Sequence, residues 1–159
     1  DEPKTKIKYG LAPLITKEDL SSIAGITLND VECSYKKSKV RGNVLISHVG
    51  LTGPGIIHLS NEISKDIDYD ILEDNCNINC QIVVDLVPDL THEELKSKFD
   101  SEFSAKGKTQ IKNYLKQLLS NNFIEYFLNR INVEPDTQLS RINKKSKNFF
   151  TAKKNTKSA

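Results

Sequence analysis

Two patterns in a fixed order predict an α+β fold. Short alternating stretches occupy the first half of the chain, and apolar residues at helical spacing occupy the second. A third observation is a strand–turn–helix unit: residues 42–60 change from period two to helical period at a Gly-rich turn. The arrangement predicted is a small antiparallel β-barrel subdomain of residues 1–89 plus 148–155. A helical subdomain of residues 91–146 is inserted in it.

Residues 1–8 are polar and charged. Lys8 to Leu14 reads as a strand ended by Pro13, and Thr16 to Gly25 as a short helix capped by Thr16 and stopped by Gly25. Ile26 to Lys36 alternates through Leu28, Val31 and Cys33, which predicts a strand. A turn at Lys37-Ser38-Lys39 folds it against a second strand, Val40–Ser47. In that strand Val44 and Ile46 share one face, with Asn43, Leu45 and Ser47 on the other.

The strand breaks at Gly50-Leu-Thr-Gly-Pro-Gly55. Pro54 suits the first position of a helix, where its missing N–H costs nothing. Ile56, Ile57, Leu59 and Ile63 then form an apolar helical stripe. Such a turn is either a tight structural corner or an anion site made by free N–H groups. The chain contains neither GxxxxGK[ST] nor GxGxxG, so no established phosphate motif applies.

Asp66 to Asp74 reads as a solvated acidic loop, and Asn79–Val87 as a strand ended by Pro88. Thr91 and Glu94 form a capping box for a helix running to about Ser104, broken by Gly107. Stripes at Ile111, Tyr114, Leu115, Leu118, Leu119 and at Phe123, Ile124, Phe127, Leu128, Ile131 predict two core helices separated by Asn121-Asn122. Pro135 introduces a last helix over 136–146, and residues 148–154 read as a returning strand.

The central stretch GNVLISHVGLTGPGIIHLS resembles a signature of the bacterial BaiN-like (aminoacetone-oxidase-like) flavoproteins. LAPLIT at 11–16, IAGITLNDVECSY at 23–35 and VVDLVPDLTHEEL at 83–95 resemble flanking segments of that family, in the same order. Ser47, Val49 and Thr52 depart from its usual residues. The resemblance implies a barrel like those of translation factors. It also implies that this chain is the domain inserted between the halves of an FAD- and NAD(P)H-using oxidoreductase. The dinucleotide-binding domain of the same parent chain would then be its partner. As an insertion or lid domain it would cover the substrate side of the flavin, with no catalytic residue of its own. His48, Gly50, Thr52, Gly53, Pro54 and Gly55 are the candidates to face substrate or flavin.

Composition agrees with a part of a larger protein. Apolar residues make up 37% of the chain, and Met is absent, as expected of an excised fragment. No apolar run approaches the ~20 residues of a membrane span, and no leader pattern opens the chain, so a cytoplasmic location is expected. Cys33, Cys76 and Cys80 lack a zinc spacing, and reduced thiols are expected rather than a metal site. His48 reads either as a donor near substrate or as a structural histidine, and Thr52 either as a ligand contact or as a turn hydroxyl. His58 and His92 read as surface residues, and Asp85 as a solvent-facing or backbone-bonding carboxylate.

Net charge is +2, but residues 141–159 hold Arg141, Lys144, Lys145, Lys147, Lys153, Lys154 and Lys157 with no acid. With Phe149 and Phe150 beside them, these residues support the alternative of a nucleic-acid-binding module, RNA included.

Overall fold

The computed structural model describes residues 13–66, 80–151 and 155–157. The chain divides into two compact units: residues 1–86 with 155–159, and Val87–Lys154.

The first unit is a six-stranded antiparallel sheet. Its strands are β1 (Leu14–Ile15), β2 (Thr27–Tyr35), β3 (Ser38–Ile46), β4 (Gly50–Thr52), β5 (Gln81–Asp85) and β6 (Asn155–Lys157), in the order β1-β4-β3-β2-β5-β6. Helix α1 (Pro54–Ser64) packs on β2 and β3. The alternation read in the sequence holds: Val44 and Ile46 are buried while Asn43 and Leu45 are exposed. Val31, Cys33 and Tyr35 of β2 point the same way, and Ile56, Leu59 and Ile63 of α1 are almost wholly buried.

The β2–β3 hairpin turns at Lys36-Lys37, one residue earlier than the sequence suggests, because Tyr35 pairs with Ser38 and Lys36 takes φ 52°. A bulge interrupts β2. Three steps from Leu28 to Val31 face two steps from Val44 to Gly42. Asp30 in the bulge has φ 52°; its N–H donates to Asn43 Oδ1 at 2.9 Å.

The helix expected over Thr16–Gly25 is reduced to a 3-10 turn, Ser21–Ile23. Asp19 Oδ1 accepts the Ser21 N–H at 2.9 Å, while the Thr16 hydroxyl donates to Glu18 O instead of capping a helix. Gly25, with φ 87°, does end the turn. The expected strand at 8–12 and most of the acidic loop at 66–74 lie outside the described residues.

The second unit contains α2 (His92–Ala105), α3 (Ile111–Leu115), α4 (Asn121–Arg130) and α5 (Lys144–Thr151). The capping box forms at α2: Thr91 N–H donates to Glu94 Oε2 at 2.8 Å, and Glu94 N–H to Thr91 Oγ1 at 3.2 Å. Phe99, Phe103, Tyr114, Leu128 and Leu139 belong to one buried cluster. Phe103 and Tyr114 meet edge to face at 5.4 Å, and the Tyr114 hydroxyl donates to Glu102 Oε2. Asn121-Asn122 begins α4 rather than separating helices.

The helix expected over 136–146 is two shorter pieces, a 3-10 turn at Leu139–Arg141 and α5. Asn143 sets the start of α5, since its Oδ1 accepts the Ser146 N–H at 2.7 Å. The strand expected over 148–154 is therefore corrected: residues 148–151 continue α5, and the chain rejoins the sheet at Asn155. There β6 pairs with β5, with Val83 opposite Asn155 and Gln81 opposite Lys157. In the sheet order β6 and β1 stand at opposite ends.

Candidate functional site

The Gly50–Gly55 stretch is not one loop. Gly50–Thr52 is a strand, held on one side by Leu45 and Ile46 of β3 and on the other by Leu14 and Ile15 of β1. The sharp turn lies before it. Ser47 and Gly50 exchange backbone hydrogen bonds at 2.8 and 3.3 Å, which leaves His48 and Val49 exposed at the tip of a two-residue hairpin. The Ser47 hydroxyl also accepts the Gly50 N–H at 3.1 Å.

The three glycines serve close backbone approaches. A Cβ on Gly50 would lie 1.9 Å from Leu14 O. Gly53, at φ 101°, caps α1 with its backbone alone, and a Cβ there would lie 2.9 Å from Asn43 O. Gly55 is buried against β3. The start of α1 is thus pressed onto the Asn43 and Gly42 backbone.

The side chains that remain available are those of His48, Thr52 and Pro54. His48 and Pro54 are exposed and Thr52 is half-buried. Thr52 pairs with Leu45 and Gly50 with Ile15, so these residues point away from the buried Leu14, Ile46 and Leu51. On that outward face Ile15 is 62% and Leu45 37% exposed, and Val49 at the hairpin tip is 48% exposed. Sequence reasoning placed Leu45 on this face but missed Ile15 and Val49. Their signal was a large apolar residue on each side of a strand too short to show alternation.

Other candidates are less suited to chemistry. His58 and His92 are exposed on helices. Asp85 is half-buried on β5, opposite Glu32. Glu32 Oε1 accepts from Lys39 Nζ at 2.7 Å. That bond chiefly holds the Lys39 ammonium above its usual pKa, with Asp85 adding to the effect. Cys33 and Cys80 are buried, and burial pushes the Cys33 thiol up to about 11, away from reactivity. Cys76 lies outside the described residues. Among the described residues no group of His, Cys, Asp and Glu is disposed to hold a metal ion, and no helix is long and apolar enough to cross a membrane.

The order of these elements, a curled antiparallel sheet followed by a helical unit, agrees with a comparison against known families. The profile described as the HI0933-like protein barrel and H2TH domain matches residues 10–154. The chain belongs to this family, the insertion domain of the BaiN/HI0933-like flavoproteins.

Proposed function

We propose that this domain covers the substrate side of the flavin in an FAD-dependent oxidoreductase and does not catalyse alone. Its partner is the dinucleotide-binding domain of the same parent chain, and NAD(P)H is the electron donor the family resemblance suggests. The observation that supports this reading is the outward face of β1, β4 and β3. Exposed Ile15 and Leu45 flank Thr52 there, next to the tip that carries His48 and Val49. An apolar surface with few polar groups suits the cover of a flat aromatic ring system. His48 and Thr52 supply the polar contacts, and Gly50, Pro54 and the two glycines around it fix their backbone.

The test uses the FAD-loaded parent protein. Leu45→Glu or Thr52→Arg should increase quenching of flavin fluorescence by iodide several-fold, since a displaced cover admits solvent ions. Unchanged quenching in both variants would defeat the proposal. The isolated chain should purify colourless, and a stoichiometric yellow chromophore on it would also count against the reading.

A further inference from the structure

The second unit holds thirteen basic and eight acidic side chains, and the fold gathers several of the bases at one corner. Two separate stretches meet there. Ser140 N–H donates to Gly107 O at 3.1 Å, and Leu139 N–H to Thr109 O at 2.9 Å. Gly107 sits so close to Ser140 that an added Cβ would lie 3.2 Å from the serine Cβ. Lys106 and Lys108 flank that glycine, Arg141 follows that serine, and Lys144 and Lys145 open α5 just beyond. All five are exposed.

Two further observations bear on this corner. Lys36, Lys39, Arg41, Lys65 and Lys112 each bond a carboxylate. Among the described residues Lys106, Lys108, Arg141, Lys144 and Lys145 have no such partner. Two nearby carboxylates bond other groups: Glu102 accepts from the Tyr114 hydroxyl, and Asp136 pairs with Lys112. Two ammonium groups of this region also lie over aromatic rings. Lys106 Nζ lies 6.0 Å from the Tyr114 ring centre, and Lys147 Nζ lies 5.4 Å from that of Phe103. Cations gathered without a directly paired carboxylate repel one another, and a polyanion relieves that repulsion.

We infer that this corner binds the phosphate backbone of a nucleic acid. Four of the five exposed groups are lysines, which act as point charges and do not read base edges bidentately. Binding is therefore indifferent to sequence and set by ionic strength. An acidic peptide offers a lower density of charge than a phosphate backbone, which in duplex DNA carries one negative charge per ~1.7 Å and releases condensed counterions when cations bind it.

The experiment is fluorescence anisotropy of the 159-residue chain with a labelled 20-mer of single-stranded RNA and a DNA duplex. Neutralising about four phosphate contacts predicts a fall in affinity of roughly 50- to 150-fold between 50 and 200 mM salt. Replacing Lys106, Lys108, Arg141, Lys144 and Lys145 together by Gln should weaken binding at least tenfold at low salt. The control, Lys36→Gln with Lys37→Gln, should bind like the original chain. Circular dichroism melting establishes that each variant is folded, and Lys144→Gln with Lys145→Gln serves if the fivefold variant is not. Folded variants that bind both nucleic acids as the original does would overturn the inference. So would tighter binding to polyglutamate or to vesicles of phosphatidylserine than to either nucleic acid.

Discussion

A methyl group placed on Gly42 would lie 3.1 Å from Cα of Gly55 and 3.2 Å from its nitrogen. Helix α1 therefore crosses β3 backbone to backbone. Alanine at either position makes the backbone opposite give by a few tenths of an ångström. Gly42→Ala and Gly55→Ala should each cost about 1–3 kcal/mol, the usual range for overpacking. The double variant should cost less than the sum, because one displacement makes room for both methyl groups. Urea denaturation of the three variants measures this, and strictly additive losses would show that the contact is not shared.

Gly50 and Gly25 provide a second comparison. Gly25 has φ 87° with open space around it, whereas a Cβ on Gly50 would lie 1.9 Å from Leu14 O. Gly25→Ala should cost about 1 kcal/mol of backbone strain. Gly50→Ala should cost clearly more and detach β1 from β4. Thermal melts rank the two, and loss of amide protection at Thr16, whose N–H donates to Val49 O at 3.2 Å, reports the detachment.

Cys33 makes the fold sensitive to alkali. Burial raises its thiol to about 11, with Glu32 adding to the shift. In the unfolded chain the same thiol ionises near ~8.5. Between those values the unfolded chain has released its proton and the folded one has not, so stability falls as pH rises. Tyr114 is raised as well, chiefly by burial, and adds to the loss at higher pH. Cys33→Ala should therefore lose less of its urea midpoint between pH 8 and 10 than the original chain does. Equal losses would mean that Cys33 is not the group responsible.

Asp30 and Arg41 form a two-point pair, Nε to Oδ1 and a terminal guanidinium nitrogen to Oδ2, each at 2.7 Å. This bond holds the Asp30 carboxyl below its usual range. A depressed folded pKa means a contribution present above the unfolded value and lost as pH falls through the folded one. The pair is exposed, so the contribution is small. Carbon-13 titration should find Asp30 low in the original chain and normal in Arg41→Ala; equal values in both would rule out the pair as the cause.

The parts of the fold that announce themselves locally were readable. Val44 and Ile46 alternate over a strand long enough to show a period, and Thr91 with Glu94 carries its own capping geometry. Strand β4 was not readable, since three residues containing a glycine give no period. It exists because β1 and β3 pair with it from both sides. The bulge at Asp30 is likewise fixed by Asn43 and Arg41, thirteen and eleven residues away. The last turn of α5 reads as strand in sequence because Phe149 and Phe150 are strand-favouring residues, whereas the helix is set by Asn143, whose side chain starts it. At the candidate site, the positions of Gly50, Gly53 and Gly55 were legible, but the backbone atoms they make room for were not.

The return of β6 to β5 bears on how the chain reaches this state. Val83 pairs with Asn155, so the whole of Val87–Lys154 is a loop closed by two short strands. Closing such a loop from a disordered chain is entropically costly, and three ladder positions offer little in return. Once the helices have collapsed on Phe103 and Leu128 the effective loop is far shorter. The second unit should thus fold ahead of the last strand. In pulsed hydrogen exchange, Leu128→Ala should delay protection at Val83 and leave the β2–β3 hairpin on schedule; simultaneous delay of both would contradict this order. The edge of the sheet would then depend kinetically on a helical neighbour, so a mutation among those helices would register first as a late strand.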